Sequence, residues 1–215
     1  MTAQSQTSWL QAYRWPLFFL GLGLVWVGLT LSGVLVGFDH AGVMAFRADA
    51  AGMDPIGPSW VEHAVLGLTH AGDTLTLIIL CLATIGWLLY RKQRSAALYF
   101  LVMAGGSFLL SAVLKAAFGR ARPDIAEHIV HASSASFPSG HALRSAAVFL
   151  SLMVLARVFR DGFRSRVVTA CVFLLFIGIG VSRIYLGVHW PSDIIFAWLL
   201  AGFWVTLWAP KLQKS

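Results

Sequence analysis

The sequence predicts an all-α, polytopic membrane protein, a bundle of six transmembrane helices. Three observations carry that expectation. Of 215 residues, 58% are hydrophobic and 12% charged, with a mean hydropathy of +0.76, whereas a soluble domain carries about 25% charged residues. A chain this apolar cannot cover its own surface with polar side chains, which argues against both disorder and a cytosolic globule. The apolar residues also gather into six segments. Finally, the two-residue alternation of a β-barrel strand is absent, and in lipid such segments satisfy their own backbone only as helices.

The segments run Leu17–Val36, Thr74–Tyr90, Ala96–Leu114, Ala142–Phe159, Val167–Val181 and Ile194–Ala209. Crossing the hydrocarbon takes about 20 helical residues, with ~17 as a lower bound. The first and third segments meet this; the fifth and sixth do so only if their polar ends dip into the membrane. The first is longer than the apolar core of a signal peptide and has only Arg14 before it, so a retained helix is expected. The longest polar connection, 37–73, contains Trp60, Val61, Val65, Leu66 and Leu68, which suit a short helix lying on the membrane surface. Cys81 and Cys171 fall inside apolar runs and read as buried small hydrophobes, implying neither a disulfide nor a metal site. With no internal repeat, residues 1–215 form one domain.

The net charge of +7 suggests nucleic acid only if the basic residues form a stripe, and they do not. They mark orientation instead. Arg14, Arg91, Lys92, Arg94, Arg157, Arg160, Arg164, Arg166, Lys211 and Lys214, ten of the 16 basic residues, share one face with a single acid, Asp161. An excess of Lys and Arg marks the cytoplasmic side, so both termini are placed there. The opposite face holds the other eight acids and all seven histidines.

Three polar clusters lie on that outer face: Lys115 to Asp124, ending Arg122-Pro123-Asp124; Phe137-Pro138-Ser139-Gly140-His141; and Ser182-Arg183 running to His189 and Asp193. Antiparallel helices would bring them to one membrane level. Their chemistry suits phosphoryl transfer. Lys115, Arg122 and Arg183 supply cations, and the planar fork of arginine grips phosphate oxygens in pairs. Ser139 and Gly140 precede a helix whose first N–H groups and dipole favour an anion. His189 stands one turn before Asp193, a carboxylate placed to hold the imidazole in one tautomer, which fits His189 as a nucleophile forming a phosphohistidine. His141 would then protonate the leaving oxygen and later activate water.

Each residue alone has a plainer reading. Lysines and arginines beside a membrane often snorkel to the interface, and an isolated histidine is usually a surface residue. Arg120, Asp124, His40, His63, His70, His128 and His131 are assigned to the surface or to support of the site. His70 with Asp73 imitates the His–Asp pair without a cationic cluster of its own. Ser139 lacks the Gly-x-Ser-x-Gly elbow of a nucleophile. No acidic cluster for Mg²⁺ accompanies the basic residues, so no metal and no other cofactor is expected.

Together the clusters resemble the three-part signature of the type-2 phosphatidic acid phosphatase family: Lys115, six residues, Arg122-Pro123; Pro138-Ser139-Gly140-His141; Ser182-Arg183, five residues, His189, three residues, Asp193. The signature spans 115–193. The resemblance implies a phosphate site at the outer face of a helical bundle, with His189 as nucleophile, Asp193 its partner and His141 the acid and base. Lys115, Arg122, Ser139, Gly140 and Arg183 would bind phosphate, and no divalent metal would be needed. It further implies a bacterial cytoplasmic-membrane enzyme acting on a lipid phosphate such as undecaprenyl pyrophosphate, phosphatidylglycerophosphate, phosphatidic acid or lipid A, or passing the phosphoryl group between lipids. Arg144 follows His141 by three residues and shares its helix face; it is a candidate contact for a second phosphate, unless it pairs with Glu127 or Asp124 or faces lipid headgroups. Outside enzymes, the same cations would suit an anionic-lipid transporter, which needs neither His189 nor Asp193.

Overall fold

The computed structural model describes residues 3–159 and 163–212, which form eight helices and no strand. In chain order these are α1 (Ala3–Leu31), α2 (Val36–Met44), α3 (Ser59–His70), α4 (Thr74–Tyr90), α5 (Arg94–Phe118), α6 (Gly140–Phe159), α7 (Phe163–Tyr185) and α8 (Pro191–Leu212). Every predicted apolar segment is helical, and α4 matches its segment residue for residue. The chain turns after Leu31, so Val36 begins α2 instead of closing the first segment. Helices α7 and α8 run past the apolar stretches into polar residues at both ends. The 37–73 connection holds two helices; α3 contains the expected Trp60–Leu68 stretch, while the residues of α2 read as loop.

Four helices are long and apolar enough to cross a membrane: Tyr13–Leu31 of α1, Arg94–Phe118, Arg166–Tyr185 of α7 and Pro191–Ala209 of α8. Helices α3 and α4, bent by 46° at their junction, qualify together as a fifth. The described residues thus show four or five spans against an expected six. The difference lies in α6, whose apolar stretch Gly140–Ala156 is shorter. That helix packs against α5, α7 and α8, with Ala142, Leu143, Ala146, Ala147 and Val148 fully buried and Ser145 and Ser151 among them. A helix clothed by protein needs less hydropathy than one clothed by lipid.

The outward faces are apolar. Phe18, Leu24 and Val25 on α1, Leu82 on α4, Leu109 on α5 and Leu174 on α7 are all exposed, a surface that suits acyl chains and not water. Cys171 lies on this exposed face of α7, correcting its expected burial, while Cys81 is buried as expected. Between helices, contact depends on small residues: a side chain at Gly106 of α5 would strike the Trp204 indole of α8. Of the residues counted for orientation, Arg160, Asp161 and Lys214 lie outside the described residues.

Candidate active site

Three connections meet at one end of the bundle: the turn 71–73, the loop 119–139 and the turn 186–190. In the last, Gly187 adopts φ +75°, where any side chain would collide with the Glu127 carbonyl and the Arg47 guanidinium. Helix α8 then opens with Pro191 at its first position, where a missing N–H costs no intrahelical bond. The Asp193 carboxylate reaches back to the Trp190 N–H at 3.0 Å, the acidic half of a capping box.

This cap sets His189 against Asp193. The ring is 2% exposed, with Nδ1 3.3 Å from Asp193 Oδ2. On its other side Arg122 Nη1 donates to Nε2 at 3.3 Å. The network therefore assigns the proton to Nδ1 and the lone pair to Nε2. Burial pushes the His189 pKa down to about 3; the hydrogen bond and charge of Asp193 resist, while the charges of Arg122 and Arg183 add to the fall. The ring is neutral at physiological pH.

Asp193 is itself fully buried and well partnered. Oδ1 accepts Arg120 Nη1 at 2.6 Å, and Oδ2 also accepts the Ser136 hydroxyl. Arg120 extends its other nitrogen to Asp39 Oδ2 at 2.7 Å. Asp39, also buried, takes the Ser192 N–H at 2.8 Å and the Ser192 hydroxyl at 2.7 Å. One guanidinium thus bridges two buried carboxylates behind the histidine.

In front of His189 lies a cavity of about 170 Å³, lined by the side chains of Lys115, Arg122, Arg144, Arg183, His131, His141 and His189 and by Ala132–Ser134 and Gly140. Four cations and no carboxylate face it. Arg183 gives Nη1 to Thr69 Oγ1 at 2.8 Å, but its Nε is buried without an acceptor, a donor that an anion would satisfy. Lys115 donates to the Ala135 carbonyl. Gly140 keeps the start of α6 open, since a Cβ there would lie 2.6 Å from Arg144 Nη2. Arg144 bonds Thr74 Oγ1 at 2.7 Å and the Gly140 carbonyl at 2.9 Å and covers the Phe108 ring; neither Glu127 nor Asp124 is its partner.

His141 reaches the cavity from the first turn of α6. Its Nε2 meets Asp73 Oδ1 at 2.8 Å, and Asp73 Oδ2 meets His70 Nδ1 at 2.7 Å. Burial works against the Asp73 charge, but the hydrogen bonds of His70 and His141 hold its carboxyl below the ordinary range.

Of the residues singled out in the sequence, Lys115, Arg122, Gly140, His141, Arg144, Arg183 and His189 come together around the cavity, with Asp193 directly behind His189. Ser139 stands apart from the lining. It is fully buried, and its hydroxyl accepts the Ala142 N–H at 3.4 Å. Sequence reasoning passed over Asp39 and Ser136, saw Asp73 only as a partner of His70, and assigned Arg120 no more than a place at the surface or in support of the site. Arg120 carries a faint signal, a second arginine two residues before Arg122; Asp39 stands in a stretch read as loop and carries none. His131 lines the cavity, whereas His63 bonds the Ser59 carbonyl, His128 the Pro123 carbonyl, and His40 stacks on Trp190.

The chain is 33% identical over 139 residues to phosphatidylglycerophosphatase B of Bacillus subtilis, covering 63% of this chain and 68% of that one. It is 34% identical over 182 residues to lipid A 1-phosphatase of Rhizobium johnstonii, covering 71% and 70%. Its fold superposes on the crystal structure of a transmembrane PAP2 type phosphatidylglycerolphosphate phosphatase from Bacillus subtilis with a TM-score of 0.78, at 28% identity over 94% of this chain and 96% of that one. Residues 96–215 match the model of the PAP2 superfamily, and with the signature residues gathered around one cationic cavity, the chain belongs to that superfamily.

Proposed function

We propose that the protein removes phosphate from a membrane lipid through a phosphohistidine on His189. The supporting observation is the His189 ring: Asp193 behind it, Arg122 at its Nε2, and a cavity with four cations in front. In this reading Nε2 attacks phosphorus and the bond to the lipid oxygen breaks. The Nδ1 proton of a protonated His141 goes to that oxygen, releasing the lipid alcohol. Asp193 stabilises the charge the ring gains. Water then attacks phosphorus, the phosphorus–nitrogen bond breaks, and His141 takes the proton of water, returning both histidines to their starting states. Lys115, Arg122 and Arg183, with the N–H groups at the start of α6, hold the phosphoryl oxygens as charge redistributes among them. Ser139 supports that site as the cap beneath Gly140, and no metal is required.

The relatives named for phosphatidylglycerophosphate and lipid A support a lipid phosphomonoester as substrate. Undecaprenyl pyrophosphate is favoured by a separate observation, Arg144 in the same cavity, where it would meet a second phosphate. The exposed apolar helix faces suit a long tail beside the headgroup. The proposed setting is a single-domain protein of six spans in a bacterial cytoplasmic membrane, with α6 as the sixth span, both termini cytoplasmic and the cavity at the outer face.

The test is phosphate release by the purified chain in detergent with EDTA, over a panel of these lipids, beside His189→Ala. Release by wild type and a loss of at least about a thousandfold in the variant is expected, on the scale of losing a catalytic nucleophile. Equal release by both would overturn the mechanism. Lipid transport surviving in His189→Ala, with no release by wild type, would establish the transporter instead.

A further inference from the structure

The chain brings a second histidine–carboxylate pair to the cavity, and neither family signature nor local spacing links its members. Asp73 closes the turn between α3 and α4, and His141 opens α6, 68 positions later. The turn lies beside the ring: a Cβ on Gly72 would come into van der Waals contact with His141 Cδ2, at 3.4 Å. Asp73 occupies the N-cap position of α4, yet its side chain makes no cap bond there. Both of its oxygens are turned to histidines, Oδ1 to His141 and Oδ2 to His70. The carboxylate is therefore spent on the rings and not on the helix.

We propose that Asp73 is the positioning residue of the acid and base His141, fixing which ring nitrogen meets the substrate and favouring the protonated ring against the cations around it. This rests on the reading of His141 as proton donor to the lipid oxygen. By accepting the Nε2 proton, Asp73 leaves Nδ1 for the substrate, the reverse of His189, where Asp193 takes Nδ1 and Nε2 faces Arg122 and the cavity. His141 shares its cavity with Lys115 of α5, Arg122 of the loop, Arg144 of α6 and Arg183 of α7. His131 and His189 face the same space, and His70 of α3 stands behind Asp73. Four cations oppose an imidazolium in that position, and an acid must carry its proton before it can give it. Asp73 is the carboxylate in contact with the ring. The His70 bond aims that carboxylate and need not carry a proton in the cycle, because His141 regains from water the proton it gives to the alcohol.

The experiment compares kcat and KM of the purified full chain on a lipid phosphate across pH 5–8 for wild type, Asp73→Asn, Asp73→Glu, His141→Ala and His189→Ala. The Asp73 side chain makes no cap bond to α4, and asparagine is equally accepted at an N-cap, so α4 is retained. For Asp73→Asn the expected result is a kcat at pH 7 lower by about a hundredfold, within the range of losing acid–base catalysis. KM should stay within threefold, and the loss should shrink as the pH falls and solvent protonates His141. Glutamate should restore part of the rate. A kcat loss equal at all pH values, a rise in KM alone, or no change would overturn the proposal while His141→Ala and His189→Ala stay inactive. Wild-type turnover by His141→Ala would instead remove the reading on which it rests.

Discussion

At the back of the site, one guanidinium holds two buried carboxylates. Arg120 is 23% exposed at its side chain, Asp39 1% and Asp193 0%, so removing the cation leaves two negative charges out of reach of water. Breaking a buried ion pair from one side costs about 3–5 kcal/mol, and the partial exposure of Arg120 points to the lower figure. Arg120→Ala is therefore expected to lower stability by about 3 kcal/mol, measured by denaturant unfolding in detergent, and to slow phosphate release because Asp193 loses its orientation. Arg120→Lys should recover little, since an ammonium lacks the fork that spans both carboxylates. Unchanged stability in Arg120→Ala would show that the bridge carries no net weight. The residues of the front of this site, with Asp193, were legible from type and spacing; the partners behind Asp193 were not. His189 and Asp193 lie one helical turn apart and announce each other, whereas Arg120 and Asp39 are 81 positions apart.

Among the helices, the positions that decide packing are small ones, and neighbouring glycines in α5 show how local the effect is. A Cβ at Gly106 would enter the Trp204 ring, whereas one at Gly105 meets nothing within 4 Å. Gly106→Val is expected to destabilise by about 1–3 kcal/mol through overpacking. Gly105→Ala should gain about 0.5–1 kcal/mol from helix propensity. Thermal unfolding of the two variants in one detergent separates these outcomes, and equal behaviour would contradict the α5–α8 contact. Helix positions themselves were readable because hydropathy is a local property: α4 was placed to the residue. Helix α2 was missed because nine residues, Val36–Met44, with two glycines, an aspartate and a histidine lack the apolar run that marks a span. Its importance lies in where Asp39 lands.

At the scale of the whole molecule, the question is which end of the bundle faces the cytoplasm. The proposed orientation places Met53, exposed in the connection before α3, outside and Gln93, in the turn before α5, inside. In a chain whose Cys81 and Cys171 are replaced by alanine, Met53→Cys should react with a membrane-impermeant thiol reagent on intact cells. Gln93→Cys should react only after the cells are opened. The opposite pattern would invert the topology and place the phosphate cavity in the cytoplasm.

By itself the sequence determined the membrane setting, the helical segments and the three clusters whose residues gather at the cationic cavity. Each of these is written in composition or in spacings of a few residues, where chain geometry alone relates neighbours. Tertiary structure decided that α6 is sheathed by protein, that Asp73 answers His141, and that Arg120 ties Asp39 to Asp193. Those pairings span 68 to 81 positions and exist only once helices have packed at particular depths. A buried charge requires a partner, but the requirement does not say which of the available charges will arrive beside it; helix packing does.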